Sequence, residues 1–427
     1  MKSLAFPARL IFCCTLTIFL ATVMFYVPSH AQSPQEEWNR GAGLFKEGQK
    51  RESASDFRGA VSQLEKALVI FETLGDKQAI GATTGNLGNA YNNLGDYQKA
   101  ISYHKQSLAI AEEIGSKKSK ESCLNNLGNA YYNLGDYRKA INYFEQSMAI
   151  ADDNGNKKGK GDALANLGVA YSSLGDYRRA ISYHKQSLAI ADEIGDKRGK
   201  GQRLGNLGVA YEILGDYQKA IRYHEQALAI EEEIRNKQGK GNSLGNLGNI
   251  YSSLGNYRRA ISYHEQALAI ADEIGDKRGK GQRLGNLGNA YNNLGDYQKA
   301  ISYHKQSLAI ADEIGNKEGI GNSLGNIGIA YNSLGDYQKA ISYHEQALVI
   351  ADEIGNKEGK GNSLGNLGNA YNKLGDYRRA ISYHEQALAI SEEIGDKKGK
   401  GYRLGNLGIA YNSLGDYQKA ISEVGRQ

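Results

Sequence analysis

The sequence predicts an all-α solenoid of antiparallel helix pairs. From residue 81 onward nearly the same 40 residues recur, and Tyr91, Tyr131, Tyr171, Tyr211, Tyr251, Tyr291, Tyr331, Tyr371 and Tyr411 hold one slot. A fixed period of roughly 20–50 residues marks units that each stack only on their neighbours. Within each copy the apolar residues fall at helical spacing in two runs, and a Leu-Gly-Asp or Leu-Gly-Asn stop separates them. An array of this kind offers a long surface and no closed cavity by default. Binding is therefore the first expectation.

The chain opens with a segment that reads as an export signal. Lys2 and Arg9 form a basic start, Leu10 to Val27 is apolar apart from Thr, and Ser29-His30-Ala31 supplies small residues before Gln32. That is the layout of a signal peptide over residues 1–31. The apolar run is also long enough to stay as an N-terminal membrane anchor, so both outcomes stand as expectations. Cleavage would remove Cys13 and Cys14 and leave Cys123 alone, without an intramolecular disulfide. The expected location is the periplasm or the outside of a bacterial cell.

Residues 32–80 read as a degenerate N-terminal capping repeat. Phe57, Ala60, Val61, Leu64, Ala67, Leu68 and Ile70 mark its second helix. Its first helix is expected around Trp38 to Lys46, with ordered structure starting at Pro34. The polar stretch Gln49 to Ser55 is expected to widen the turn between them.

Residues 81–420 hold the tandem repeats. In the copy at 201–240, Leu204, Leu207, Gly208, Tyr211 and Leu214 share one face of a first helix. Gly215 supplies its C-terminal turn and Asp216 caps the next helix. Tyr217, Ala220, Ile221, His224, Ala227 and Leu228 mark that antiparallel second helix. Residues 421–427 leave the pattern after Ser422 and read as a truncated or divergent end, whose uncapped face is expected to favour self-association.

This pair resembles the tetratricopeptide repeat, whose pattern meets Leu204, Leu207-Gly208, Tyr211, Ala220, His224 and Glu232. The resemblance implies a right-handed superhelical solenoid and a protein-interaction scaffold that holds a partner along its concave face. Two departures stand out: the repeat-ending proline is missing, and the period exceeds the family's usual 34 residues. Both predict a second helix running to near Ile234, before a loop around Asn236. The longer period and the recurring Leu-Gly-Asn resemble the LGN/Pins-type subgroup. Together with the leader they are also similar to exported cyanobacterial-type arrays, often joined to caspase-like CHAT domains. That second likeness implies an alternative, the sensing arm of a larger effector.

Chemistry finds little support in the residues. His104, His184, His224, His264, His304, His344 and His384 recur in register, but equivalent helices lie about 8–10 Å apart, too far for two imidazoles to share a metal. Phe144 fills the same slot in one copy, so packing is the expected role. Gly359-Lys360-Gly361 does not meet the spacing of a phosphate loop, and no strand precedes it. Ser182, Tyr183 and His184 point apart on one helix and make no triad. No enzyme activity, metal or cofactor is expected. The formal charge of +5, with 52 basic and 47 acidic residues alternating locally, offers no basic footprint for nucleic acid. Apart from the leader, no membrane contact is expected.

The candidate binding face comes from comparing the copies. Variation concentrates in the slots of Gln202, Val209, Glu212 and Ile213, which lie on one side of the first helix. The partner-binding set is Asn89, Asn92, Asn129, Tyr132, Val169, Val209, Glu212, Ile213, Asn249, Asn289, Asn292, Ile329, Asn332, Asn369, Asn372 and Ile409. A neutral, amide-rich face suits hydrogen bonding to a peptide main chain. The glycine that recurs at Gly205, Gly245, Gly285, Gly325, Gly365 and Gly405 is expected to open a shallow floor there.

Overall fold

The computed structural model describes residues 33–425, and the leader with Cys13 and Cys14 lies outside them. The described residues form twenty helices. The chain divides into two compact units, one ending at Leu174 and the other beginning at Gly175.

The first unit contains α1 (Pro34–Ser53), α2 (Phe57–Leu74), α3 (Lys77–Asn93), α4 (Tyr97–Glu113), α5 (Lys117–Asn133), α6 (Tyr137–Asp153) and α7 (Lys157–Ser173). Helix α1 begins with a capping box. The Ser33 hydroxyl accepts from the Glu36 amide while the Glu36 carboxylate accepts from the Ser33 amide. It also corrects the sequence reading, because Gln49 to Ser53 are its last turn and only Ala54–Asp56 form the connection. Arg51 holds that turn, donating to Glu47 at 3.0 Å and to Asp56 at 2.8 Å. Lys50 and Arg51 also suit the negative end of the helix.

The second unit contains α8 (Tyr177–Glu193), α9 (Lys197–Ile213), α10 (Tyr217–Glu233), α11 (Lys237–Ser253), α12 (Tyr257–Glu273) and α13 (Lys277–Leu294). It continues with α14 (Tyr297–Glu313), α15 (Lys317–Leu334), α16 (Tyr337–Glu353), α17 (Lys357–Leu374), α18 (Tyr377–Glu393), α19 (Lys397–Leu414) and α20 (Tyr417–Gly425). The second helix α10 stops at Glu233 with Ile234 as its C-cap, as the missing proline predicts. The expected loop is only three residues, because Asn236 already caps α11 by accepting from the Gly239 amide. Gly199 and Gly201 belong to the first turns of α9.

Each connection is set by one residue pair. Gly215 adopts φ +77° and Asp216 accepts from the Lys219 amide at 3.2 Å. Among the described residues only Ser55 and Arg235 take positive φ without being glycine.

The interior explains the remaining pattern. Leu204 and Leu207 are essentially fully buried, and Ala220 packs with Leu207 and Ala210. A Cβ on Gly208 would lie 2.5 Å from His224 Nε2, so the glycine exists to seat the imidazole. Phe144 sits on Gly128 in the same way, which bears out the packing role of the histidines. Tyr211 stacks on Tyr223 with centroids 5.4 Å apart, and the Lys219 ammonium lies 5.1 Å from the Tyr211 ring. Cys123 is buried against the Ser107 hydroxyl at 3.1 Å. Among the described residues no helix is long and apolar enough to cross a membrane.

Candidate functional site

In the second unit the first helices α13, α15, α17 and α19 line a continuous groove. One part has a volume of 330 Å³, between α13 and α15, with walls that include Gln282, Asn286, Asn289, Asn322 and Asn326. The other has 480 Å³ and is walled by Asn322, Asn326 and Ile329 of α15, Asn362, Asn366 and Asn369 of α17, and Tyr402, Arg403 and Asn406 of α19. Asn322 and Asn326 belong to both parts, so the two are contiguous. Ile350 and Ala351 of α16 close the back of the larger part.

The amides divide into two sets. Asn286 donates to Asn249 at 3.0 Å and Asn406 donates to Asn369 at 3.1 Å, tying neighbouring first helices together. Asn289, Asn326 and Asn366 line the groove, and their side chains make no hydrogen bond among the described residues. An amide carries both kinds of group, so such a row can match a peptide main chain without regard to sequence.

The glycine floor is open in some copies and closed in others. Nothing lies within 4 Å of a Cβ built on Gly205 or Gly325. Over Gly245 and Gly365 the guanidiniums of Arg283 and Arg403 occupy that space. Arg403 donates to the Gly361 carbonyl at 3.2 Å and to Asn362 at 3.3 Å. Burial lowers the pKa of both arginines from the usual guanidinium value. The face is therefore less neutral than the sequence predicts, since Arg403 and Glu318 stand in the wall of the larger part and Arg278 in the smaller.

Of the residues nominated from sequence, Asn289 lines the smaller part, and Ile329 and Asn369 line the larger. Asn249 enters only as the acceptor for Asn286. Asn292, Asn332 and Asn372 line neither part, and their Oδ1 atoms are buried without a partner. Val209, Ile213 and Ile409 are exposed on α9 and α19 outside these walls. Glu212 is half-buried on α9, where loss of solvent raises its carboxyl pKa. In the first unit Asn92 accepts from Asn133 at 3.0 Å, and Tyr132 bonds to Ser173 at 3.0 Å. Asn89, Asn129 and Val169 are half-buried on α3, α5 and α7.

Sequence reasoning missed Asn326, Asn366 and Arg403. Asn326 and Asn366 belong to the slot of Asn206, which never changes between copies, and a search for variation passes over it. Arg403 lies one position from the Gln202 slot, and its length carries it across Gly365. No group of three or more metal-ligating side chains occurs among the described residues.

The model of the tetratricopeptide repeat matches residues 52–113, 119–193, 202–273, 283–353 and 359–423. The chain belongs to that family of helical-repeat proteins. No curated protein matches it. Among solved structures it is similar to a Signal Transduction ATPase with Numerous Domains from Pyrococcus horikoshii, which has a tetratricopeptide repeat sensor. That match has a TM-score of 0.59 at 19% identity and covers 80% of this chain and 52% of the other. This chain thus spans about half the length of the archaeal protein. The apo quorum sensor NprR from B. thuringiensis matches at TM-score 0.57 and 15% identity, over 82% and 98% of the two chains. A Rap protein complexed with Competence and Sporulation Factor matches at TM-score 0.50 and 15% identity, over 81% and 96%. These likenesses concern the fold.

Proposed function

We propose that this protein is a non-catalytic scaffold that binds a partner peptide or protein segment along its first-helix face, in an exported location. The carrying observation is the row of Asn289, Asn326 and Asn366, which lines a continuous groove together with the uncovered Gly325. The Rap protein complexed with Competence and Sporulation Factor supports the reading, since a related fold there holds a partner. The archaeal ATPase with a repeat sensor favours a second reading, in which such an array is the sensing arm of a larger protein.

The test is selection of a random dodecapeptide library, displayed on phage, on the immobilised full chain. Selected peptides should lose about tenfold or more in affinity for a variant with Asn289→Arg, Asn326→Arg and Asn366→Arg. They should bind equally well to a control with Gln266→Arg and Gln386→Arg, two exposed positions on second helices. Circular dichroism confirms that both variants fold. Loss of binding in the control alone sinks the proposal.

A further inference from the structure

Near-identical repeats make each departure its own comparison. At most turns between a second helix and the next first helix, a lysine pairs with the acid eight residues before it. Lys120 with Glu112, Lys240 with Glu232 and Lys360 with Asp352 are examples, at 2.7–2.8 Å. Lys160, Lys200, Lys280 and Lys400 do the same. Two copies break this ladder. Ile80 and Ile320 take the lysine slot, and Glu72 and Asp312 have no ion pair among the described residues.

A second departure lies on a helix flanking each of these, the preceding second helix for Ile80 and the following one for Ile320. The second-helix slot held by alanine at Ala109, Ala149, Ala189, Ala229, Ala269, Ala309 and Ala389 is valine at Val69 and Val349. These valines are 61% and 64% exposed, so the added methyl groups meet solvent and fill no core. Around Ile320 the result is a shallow groove of 530 Å³ between α14 and α16, floored by α15. Ile320, Leu324, Leu308, Val349 and Ile350 supply its apolar surface, and Asp312 stands at its rim.

We infer that this groove docks a partner segment carrying an aliphatic side chain beside a lysine or arginine. The aliphatic group would cover Ile320 and Val349. The cation would take the place on Asp312 that a lysine of the chain itself occupies in the other copies. Charge complementarity fixes the polarity of the segment, because Lys305 occupies the same wall two turns from Asp312 and repels a cation there. The inference does not depend on the amide groove, which belongs to the first-helix face.

The repeats themselves supply the control variant. Ile320→Lys with Val349→Ala restores the residues of the other copies, so it should fold with unchanged thermal unfolding. The full chain with carbon-13 labelled isoleucine and valine methyl groups is titrated with three nonapeptides in a Gly/Ser background. Their central pairs are Leu-Lys, Leu-Glu and Ser-Lys. The Ile320 and Val349 resonances should move with the Leu-Lys peptide at about tenfold lower concentration than with either of the others. Added salt should weaken that response, and Asp312→Asn should bring the Leu-Lys and Leu-Glu peptides level. The Ile320→Lys, Val349→Ala protein should bind at least about tenfold more weakly than the wild type. Equal response to all three peptides overturns the proposal, as does movement confined to other methyl groups. Shifts of Ile320 and Val349 on concentrating the protein alone would overturn it in favour of a second copy of the chain.

Discussion

Arg235 is the residue at which the repeat departs most clearly from its own rule. Gly195, Gly275, Gly315, Gly355 and Gly395 hold the equivalent left-handed turn, and Arg235 adopts it with φ +56°. A side chain in that region costs about 1–2 kcal/mol because its Cβ approaches the following carbonyl. Arg235→Gly should therefore stabilise the protein, by about 0.5–1 kcal/mol once the glycine's greater freedom in the unfolded chain is subtracted. Chemical denaturation of the two proteins checks this, and an unchanged midpoint would show that the turn is unstrained. The neighbouring Asn236 shows the opposite fit. Its amide donates to the buried Glu231 carboxylate at 2.6 Å, where an aspartate cap would place two acids together.

At the scale of the helix, glycines that look alike in the sequence do different work. Gly208 lies under His224, while a Cβ on Gly205 meets open space. Gly205→Ala should stabilise α9 by about 0.8–1 kcal/mol through helix propensity. Gly208→Ala should destabilise by about 1–3 kcal/mol, because the imidazole must move. Thermal unfolding of both variants should show shifts of opposite sign, and shifts of the same sign would contradict this packing. The sequence separates the two only in part: spacing puts Gly208 on the packed face with Leu207 and Gly205 on an open floor, but the imidazole that fills the space over Gly208 sits on another helix. The stops and caps were readable because their partners are local, as Gly215 and Asp216 show. The groove was only half readable. Asn289, Ile329 and Asn369 vary between copies and drew notice, whereas Arg403 acts through its reach over a neighbouring repeat.

For the molecule as a whole, the regular histidines couple stability to acidity. His104, His184, His224, His264, His304, His344 and His384 are at most 1% exposed, and burial holds each near a pKa of about 4. In the unfolded chain an imidazole titrates near its ordinary value of about 6.5. The stability tied to neutral imidazole is then complete above pH ~6.5 and is lost as pH falls toward ~4. Each histidine contributes about 1.4 kcal/mol per pH unit within that window. His264→Phe, which copies Phe144 in the same slot, should fold and take up about one proton fewer on acid unfolding. Unfolding midpoints of wild type and variant between pH 7 and 4.5 measure it, and parallel curves would mean that His264 binds its proton equally in the folded and unfolded chain.

The same uniformity leaves the interior without an address system. Leu207, Gly208, Ala210 and Tyr211 of α9 are repeated as Leu287, Gly288, Ala290 and Tyr291 of α13. The surface that α10 recognises is thus offered by more than one helix. Side-chain fit alone does not tell a refolding chain which neighbour is the right one. The three-residue turns make that choice, because they let α10 reach α9 before any distant copy. A long flexible insertion at Leu214–Asp216 would remove that advantage and open the way to pairing between mismatched copies, within one chain or between two.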